Sequence, residues 1–328
     1  RTCRRMNPRL SGLSASVLTA LLLVPVQVFP RLPLLLAERF YPGAGWVQIV
    51  VMSIYAGLLA WRMADPMTAR RLRPRIWLLF LLVFFLQLFL GLAGIERLLM
   101  TGKLHLPVPA LIVAGPIYRG SDFFMTILFT ITALLVGTAW CSHLCYIGAW
   151  DDFCSRVQKE PAQLPGRWSL VRHGILLLVI ACAALLRYFA VGWQAALLLA
   201  AVFGLAGVGV MLAASRRLGL MAHCTAFCPV GLVGNWLGRL SPWRMRIDAG
   251  CTACMQCRRV CRYSALERDN ILKRQVGWSC TLCGDCVSAC HSGQIGYRLP
   301  LLDKEKARAV FIVLIISLHA VFLAVARI

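Results

Sequence analysis

Long apolar stretches alternate with short arginine-rich gaps along most of this chain. A helix crossing ~30 Å of hydrocarbon needs about 20 residues. Seven stretches meet or approach that length, at roughly 10–29, 44–61, 76–95, 123–140, 174–193, 195–214 and 309–326. The 76–95 stretch is the cleanest, with Gln87 its one strongly polar residue. The first is the loosest: Pro25 and several Ser and Thr residues predict a tilted or kinked helix. Between the sixth and seventh stretches, from about residue 242 to 300, the pattern changes to frequent Arg and short turn-like runs. The expected architecture is therefore an all-α polytopic membrane bundle of about seven helices with a soluble insert before the last one. Residues 1–241 would form the membrane domain with six spans, 242–300 the insert, and 301–328 the final span.

Composition and charge sharpen this picture. Hydrophobic residues are 59% of the 328 and charged residues 15%, which excludes two or three ordinary soluble domains. The net charge of +22 is not concentrated as a nucleic-acid patch. Its arginines fill the gaps: Arg1, Arg4, Arg5 and Arg9; Arg62, Arg70, Arg71, Arg73 and Arg75; the stretch 141–172; and the segment 215–308. Seven alternating spans put all four on one side, which the positive-inside rule makes the cytoplasm. Arg187, inside the fifth span, reads as a snorkelling side chain. No stretch has the short apolar core and small-residue cleavage site of a secretory leader.

Fifteen cysteines supply the chemistry. Cys251, Cys254, Cys257 and Cys261 read C-x2-C-x2-C-x3-C, and Cys280, Cys283, Cys286 and Cys290 repeat it. That run ligates a pair of [4Fe–4S] clusters in bacterial-type ferredoxins, the fourth cysteine of each run crossing to the other cluster. On that pattern one cluster takes Cys251, Cys254, Cys257 and Cys290, and the other Cys280, Cys283, Cys286 and Cys261. The insert is then an α+β ferredoxin module. A zinc ribbon also offers C-x2-C pairs, but has no use for four cysteines in each run. Arg262 and His291 follow the fourth cysteines where ferredoxins have proline, and positive charge there would raise the reduction potential.

A second repeat sits where two apolar spans end. Cys141-Ser-His-Leu-Cys145-Tyr-Ile-Gly148 matches Cys224-Thr-Ala-Phe-Cys228-Pro-Val-Gly231, with Trp150 and Trp236 further on. Cysteines at i and i+4 share one face of an α-helix, so two such helix ends would present four sulfurs to one site. Pro229 biases Cys228 away from helix and toward a turn. His143 and His223 flank the pair and could couple protons. Cys141, Cys145, Cys224, Cys228, His143 and His223 are therefore cofactor-binding candidates. A third metal or iron–sulfur centre, redox-active disulfides and quinone chemistry all remain open readings of this pair. Glu96, Lys103, His105, Tyr118, Arg119 and Asp122 are weaker quinone-site candidates that read individually as loop or interface residues. Asp151 and Asp152 read as partners of nearby arginines, and Cys3, Cys154 and Cys182 as structural. His173 and His319 are lone histidines, and no C-x-x-C-H haem attachment motif occurs.

The two C-x3-C elements followed by the double ferredoxin run resemble the NapH/NosR group of polytopic ferredoxin-type proteins, which includes MauN-like members. The resemblance covers about residues 123–297, and the LPVPALIVAGPIYRG run at 106–120 also looks like a NapH-type outer loop. It implies a membrane-bound electron-transfer subunit in a bacterial inner membrane. Such a subunit would relay electrons between the quinone pool and a partner oxidoreductase, with the module in the cytoplasm and redox subunits as partners. Tyr146 departs from the family's proline after the first C-x3-C, and no NosR-type flavin-bearing domain precedes the spans. A rival expectation is a redox or metal maturation factor for a respiratory metalloenzyme, although Met-rich copper-binding runs are absent.

Overall fold

The structure, a computed structural model, describes residues 7–30, 32–98, 106–164, 166 and 168–325, with no side chain described at 169. Arg1, Arg4, Arg5, Cys3, Lys103 and His105 lie outside the described residues. In chain order the helices are α1 (Pro8–Val28), α2 (Leu36–Phe40), α3 (Ala44–Met63), α4 (Pro66–Leu92) and α5 (Leu111–Arg119). They continue with α6 (Phe124–Val136), α7 (Tyr146–Ser155), α8 (Trp168–Tyr188), α9 (Trp193–Val210) and α10 (Arg216–Leu218). The last four are α11 (Pro229–Gly238), α12 (Arg268–Leu272), α13 (Asp285–Ala289) and α14 (Lys304–Val325). Two short strands, β1 (Arg244–Ile247) and β2 (Ile295–Arg298), bracket the cysteine-rich segment. Among the described residues, seven helical segments are long and apolar enough to cross a membrane.

Two of those segments begin earlier than the apolar pattern predicts. The stretch 62–75, expected as a loop, is largely the first part of α4, because Asp65 caps it by accepting from Thr68 N–H at 2.7 Å. Pro66 then takes the first helical position, where its missing N–H costs nothing. Arg73 is buried in that turn with its guanidinium over the Trp77 ring. Likewise α14 starts at Lys304, where Asp303 accepts from Lys306 N–H at 2.8 Å. At the first predicted span, α1 runs unbroken through Pro25.

The chain forms two compact units that part elsewhere than at 241/242 and 300/301. One comprises the described residues up to 98 with those from 296 onward. Here α1 packs along α3 and α14, and Arg308 of α14 donates to the carbonyls of Met63 and Ala64, closing the C-terminus of α3. His319 is a satisfied core histidine, 3.3 Å from the Tyr55 hydroxyl and packed on the Phe80 ring.

The other unit, residues 106–295, holds α5 to α13 and both cysteine repeats. Val108, Ala110 and Val179 form a small core between the segment leading into α5 and α8. The ferredoxin-type segment belongs to the same compact unit as the helices that carry the C-x3-C elements. Its loops turn tightly: Ala253, Met255 and Leu282 all have positive φ, as does Gly284. Left-handed backbone at non-glycine residues is costly and persists only where the surroundings enforce it. Such kinks between closely spaced cysteines wind each loop around a centre.

Candidate functional site

The C-x3-C segments share one backbone design. After α6, Gly137 (φ 65°) breaks the helix, and residues 140–144 form a widened π turn. Cys145 then leaves the helix with φ −87° and ψ 113°, its N–H donating to Trp140 O at 3.0 Å, and α7 starts at the next residue. In the second copy, residues 223–227 form the π turn and Cys228 has φ −75° and ψ 117°. Its N–H donates to His223 O at 2.7 Å before α11 begins at Pro229. The two cysteines of each pair therefore do not share an α-helical face, as the spacing predicts. A π turn separates them, and the second is extended. The turn expected at Cys228 from Pro229 occurs equally at Cys145, where tyrosine follows.

The four sulfurs meet. Cys141, Cys145, Cys224 and Cys228 line one small pocket with Trp140, Ile147, His223, Val230 and Gly231. Among the described residues none of the four is disulfide-bonded. Burial pushes the Cys145 thiol up to about 12 and the nearby Cys228 sulfur adds to this, while the Gly148 and Ile147 amides at the start of α7 favour the thiolate. Burial likewise raises Cys228, opposed by the Gly231 and Val230 amides at the start of α11 and by the Arg172 guanidinium. Cys224 is pushed well above its ordinary range by burial, then by Asp151 and the other three sulfurs. Gly231 is required here, because a Cβ on it would stand 2.7 Å from Cys224 O.

Two charged residues lie beside these cysteines, Asp151, expected from sequence only as an arginine partner, and Arg172, which sequence reasoning passed over. Asp151, fully buried on α7, accepts from Ser215 Oγ at 2.5 Å and from Cys224 N–H at 2.9 Å, so it ties the first element to the second. The expected arginine partner belongs instead to Asp152, paired with Arg156, which also reaches Asp285 at 3.3 Å. Arg172 of α8 is buried within electrostatic reach of the Cys141, Cys228 and Cys224 sulfurs. It escapes a sequence reading because it abuts a basic gap, where arginine is expected anyway.

The histidines differ. His223 lines the cavity, and its Nε2 has no hydrogen-bond partner. His143 is buried, but its Nδ1 lies 2.9 Å from Ser142 Oγ and it does not line the cavity.

In the module, Cys251, Cys254, Cys257 and Cys290 line a second small pocket with Ile247, Met255 and Ile271. The Cys257 thiol is pushed up to about 11 by burial first, then by the Cys290, Cys251 and Cys254 sulfurs. Burial acts to raise Cys290, yet the Ser292 hydroxyl and the Gln294, Ile295 and Ser292 amides outweigh it and bring the thiol below its usual value. The other four cysteines also influence one another. Cys280 is pushed up to about 12 by burial, with Cys261 adding to it, and Cys286 is raised by burial and then by Cys283, Cys280 and Cys261. Of the eight, Cys254 is the exposed one.

Hydrogen bonds seat the second set directly on the first C-x3-C segment. Thr138 Oγ1 donates to Cys280 O at 2.6 Å, and Ser142 Oγ donates to Thr281 O at 2.7 Å. Tyr263 OH donates to Cys141 O at 3.4 Å. Arg262 clamps the junction, donating to Ser155 O and Gly219 O at 2.7 Å each and to Gln158 O at 2.9 Å.

Among the described residues, no group of three or more His, Cys, Asp or Glu side chains forms a site for a metal ion. The donor set fits cuboidal clusters: each run offers four cysteines, more than a zinc site shared between C-x2-C pairs uses, on loops kinked by left-handed backbone at Ala253, Met255 and Leu282. The weaker quinone candidates that the structure describes have local roles of their own. Tyr118 OH donates to Val191 O at 2.7 Å, Arg119 pairs with Asp122 at 3.3 Å, and Glu96 opens a short 3-10 turn.

Residues 121–162 and 197–248 match the 4Fe–4S binding domain family. The matched residues contain all four C-x3-C cysteines and end before Cys251. With seven apolar helices, the match fits a multi-pass membrane protein of ferredoxin type that handles electrons through iron–sulfur chemistry. No curated protein and no solved structure matches the chain significantly.

Proposed function

We propose that the protein is a membrane-bound iron–sulfur electron-transfer subunit that relays electrons between the quinone pool and a partner oxidoreductase. The observation that carries the reading is the seating of the second ferredoxin set on the first C-x3-C segment through Thr138, Ser142 and Tyr263. A stack of cysteine centres fixed to one another by hydrogen bonds suits electron passage and serves no purpose in a mere anchor.

In this reading Cys251, Cys254, Cys257 and Cys290 hold one [4Fe–4S] cluster, and Cys261, Cys280, Cys283 and Cys286 hold another. When bound, each cluster supplies one-electron exchange. The chain's own residues set the order. In this order the C-x3-C cavity comes first, at the ends of two apolar spans, the Cys280 loop rests on the first C-x3-C segment, and the set with exposed Cys254 comes last, nearest the partner. Arg262 and the Arg156–Asp285 pair hold the module in register with α7. The arginine distribution supports a bacterial inner membrane with the module in the cytoplasm, and the NapH-type resemblance supports the quinone pool.

The test is anaerobic purification with associated subunits, followed by a reduced quinone analogue and electron paramagnetic resonance. Cluster reduction with a stoichiometric redox partner is the expected result. Clusters that answer dithionite but never quinol, in a protein bound only transiently to an apo-enzyme, would overturn the relay in favour of maturation.

A further inference from the structure

We infer that the outward face of α12, with the two residues that follow it, is a docking surface for a separate one-electron carrier protein that is acidic around its own redox group. The inference deepens the relay reading, of which it names the partner's chemistry, and rests on it.

The surface lies where the module's first cysteine set meets solvent. Cys254 is the exposed cysteine of the eight, and Ile271 of α12 lines the same small pocket. With Ile271 buried there, Arg268, Leu272, Lys273 and Arg274 are left exposed around it. Leu272 is 57% exposed, an apolar side chain held in water beside three cations. Those cations make no ion pair among the described residues, whereas Arg259 faces Glu160 at 3.8 Å. Opposing acid is scarce. Of the three carboxylates between Cys251 and Ile295, Asp285 is buried against Arg156 and Glu267 accepts from Ser264 Oγ at 2.7 Å. Asp269 alone of the three is exposed.

Membrane topology does not account for this charge. The positive-inside bias acts within about 15–20 residues of a span end. Residues 268–274 lie well beyond that distance from Leu218 and Lys304, the span ends on either side of them. Electron-transfer encounters between proteins are small and transient, apolar at the centre and steered by charge around it. Leu272 ringed by Arg268, Lys273 and Arg274 beside exposed Cys254 has that form, and an acidic carrier is the partner such a ring attracts. The step itself moves one electron between the carrier's redox group and the set containing Cys254. One is oxidised as the other is reduced, no bond forms or breaks, and no proton moves.

The experiment uses the full chain, purified without oxygen in nanodiscs of neutral lipid and left oxidised. Stopped flow mixes it with a reduced, desalted, acidic plant-type [2Fe–2S] ferredoxin as the probe. The second-order rate should fall about tenfold between roughly 20 and 300 mM salt, as steering by opposite charge requires. Arg268→Glu/Lys273→Glu should slow the low-salt rate by about tenfold and flatten the salt dependence. Its iron content, midpoint potentials and reduction by the small methyl viologen radical cation should match the native chain. Leu272→Ser should slow the ferredoxin reaction by the same factor at every salt concentration. A native rate that ignores salt or rises with it would overturn the proposal, and that measurement needs no variant to fold. A double variant as fast as the native chain would overturn it too. Amide hydrogen exchange gives the lipid arm: protection of 268–274 that appears only in nanodiscs of anionic lipid would assign the surface to the bilayer instead. Clusters that accept electrons from the ferredoxin but never from quinol would sink the relay from the quinone pool and leave this surface standing, so the two failures are distinguishable.

Discussion

Replacing Arg262 by alanine tests whether the residue after Cys261 fastens the module or tunes its sulfurs. The side chain makes three bonds to carbonyls, at Ser155, Gly219 and Gln158, between 2.7 and 2.9 Å. A hydrogen bond from a charged donor contributes about 1.5–3 kcal/mol when sheltered. The Gln158 bond is exposed and water can replace it, so the two at Ser155 and Gly219 dominate. At the low end of that range they sum to about 3 kcal/mol. The other bond made by this residue, Met221 N–H on Arg262 O at 2.9 Å, survives the change because it is backbone to backbone. Arg262→Ala should therefore weaken the junction by about 3 kcal/mol without unfolding the spans. Amide hydrogen exchange on anaerobic protein in nanodiscs reads this directly, with protection lost at 217–222 and 258–266 and kept in α1, α3 and α14. Arg262→Lys should recover the larger part, since an ammonium can donate to both Ser155 O and Gly219 O but lacks the second nitrogen that reaches Gln158 O. Unchanged protection with a lowered potential at the Cys261 set would refute the clamp and restore a purely electrostatic role.

Other outcomes follow from the same geometry. Gly231→Ala places a methyl group 2.7 Å from Cys224 O, against backbone that cannot swing aside. It should cost about 1–3 kcal/mol in thermal unfolding, and an unmoved melting temperature would contradict the close approach. Ser142→Ala removes the bond to Thr281 O at 2.7 Å. It should destabilise the module by about 1 kcal/mol and slow electron passage from the membrane layer, measured by stopped-flow reduction of the module clusters. Oxidative removal of iron with ferricyanide and a chelator should release the left-handed turns at Ala253, Met255 and Leu282. Circular dichroism should then show the long helices intact while limited proteolysis cuts between 251 and 290, and resistance there would show that the loops hold without metal.

The membrane helices were legible because 20-residue apolar runs have few alternative fates. Their starts were not. In α4 and α14 the first turns are charged and look like loop, and only the caps at Asp65 and Asp303 reveal the helix. The convergence of Cys290 with Cys251, Cys254 and Cys257 in one cavity was open to a reader of the ferredoxin spacing. The convergence of the two C-x3-C pairs was suggested by their matched flanks. Their local geometry was misjudged, because an i, i+4 spacing says nothing about the π turn that Gly137 and the extended cysteine impose. Asp151 was misassigned to an arginine and Arg172 hidden for a different reason: each carries a charge in or beside a basic gap, and only burial separates a site residue from a boundary residue there.

The repeat also shows which parts of its pattern the backbone needs. The first copy has Tyr146 where the second has Pro229, yet Cys145 and Cys228 adopt nearly the same φ and ψ, and a helix starts directly after each. Proline at the first helical position pre-sets the turn without being required for it. The glycine two residues further on is a different matter. At Gly231 it lets the second helix start lie against Cys224 O, and its amide faces the Cys228 sulfur as that of Gly148 faces Cys145. The requirement is therefore a thiolate at the mouth of a helix with an unobstructed third residue. That requirement is repeated so that two helix starts, α7 and α11, aim their positive ends at one set of four sulfurs. Exchange of Tyr146 for proline should leave the site's redox signal as it is, whereas a β-branched residue at Gly231 should abolish it.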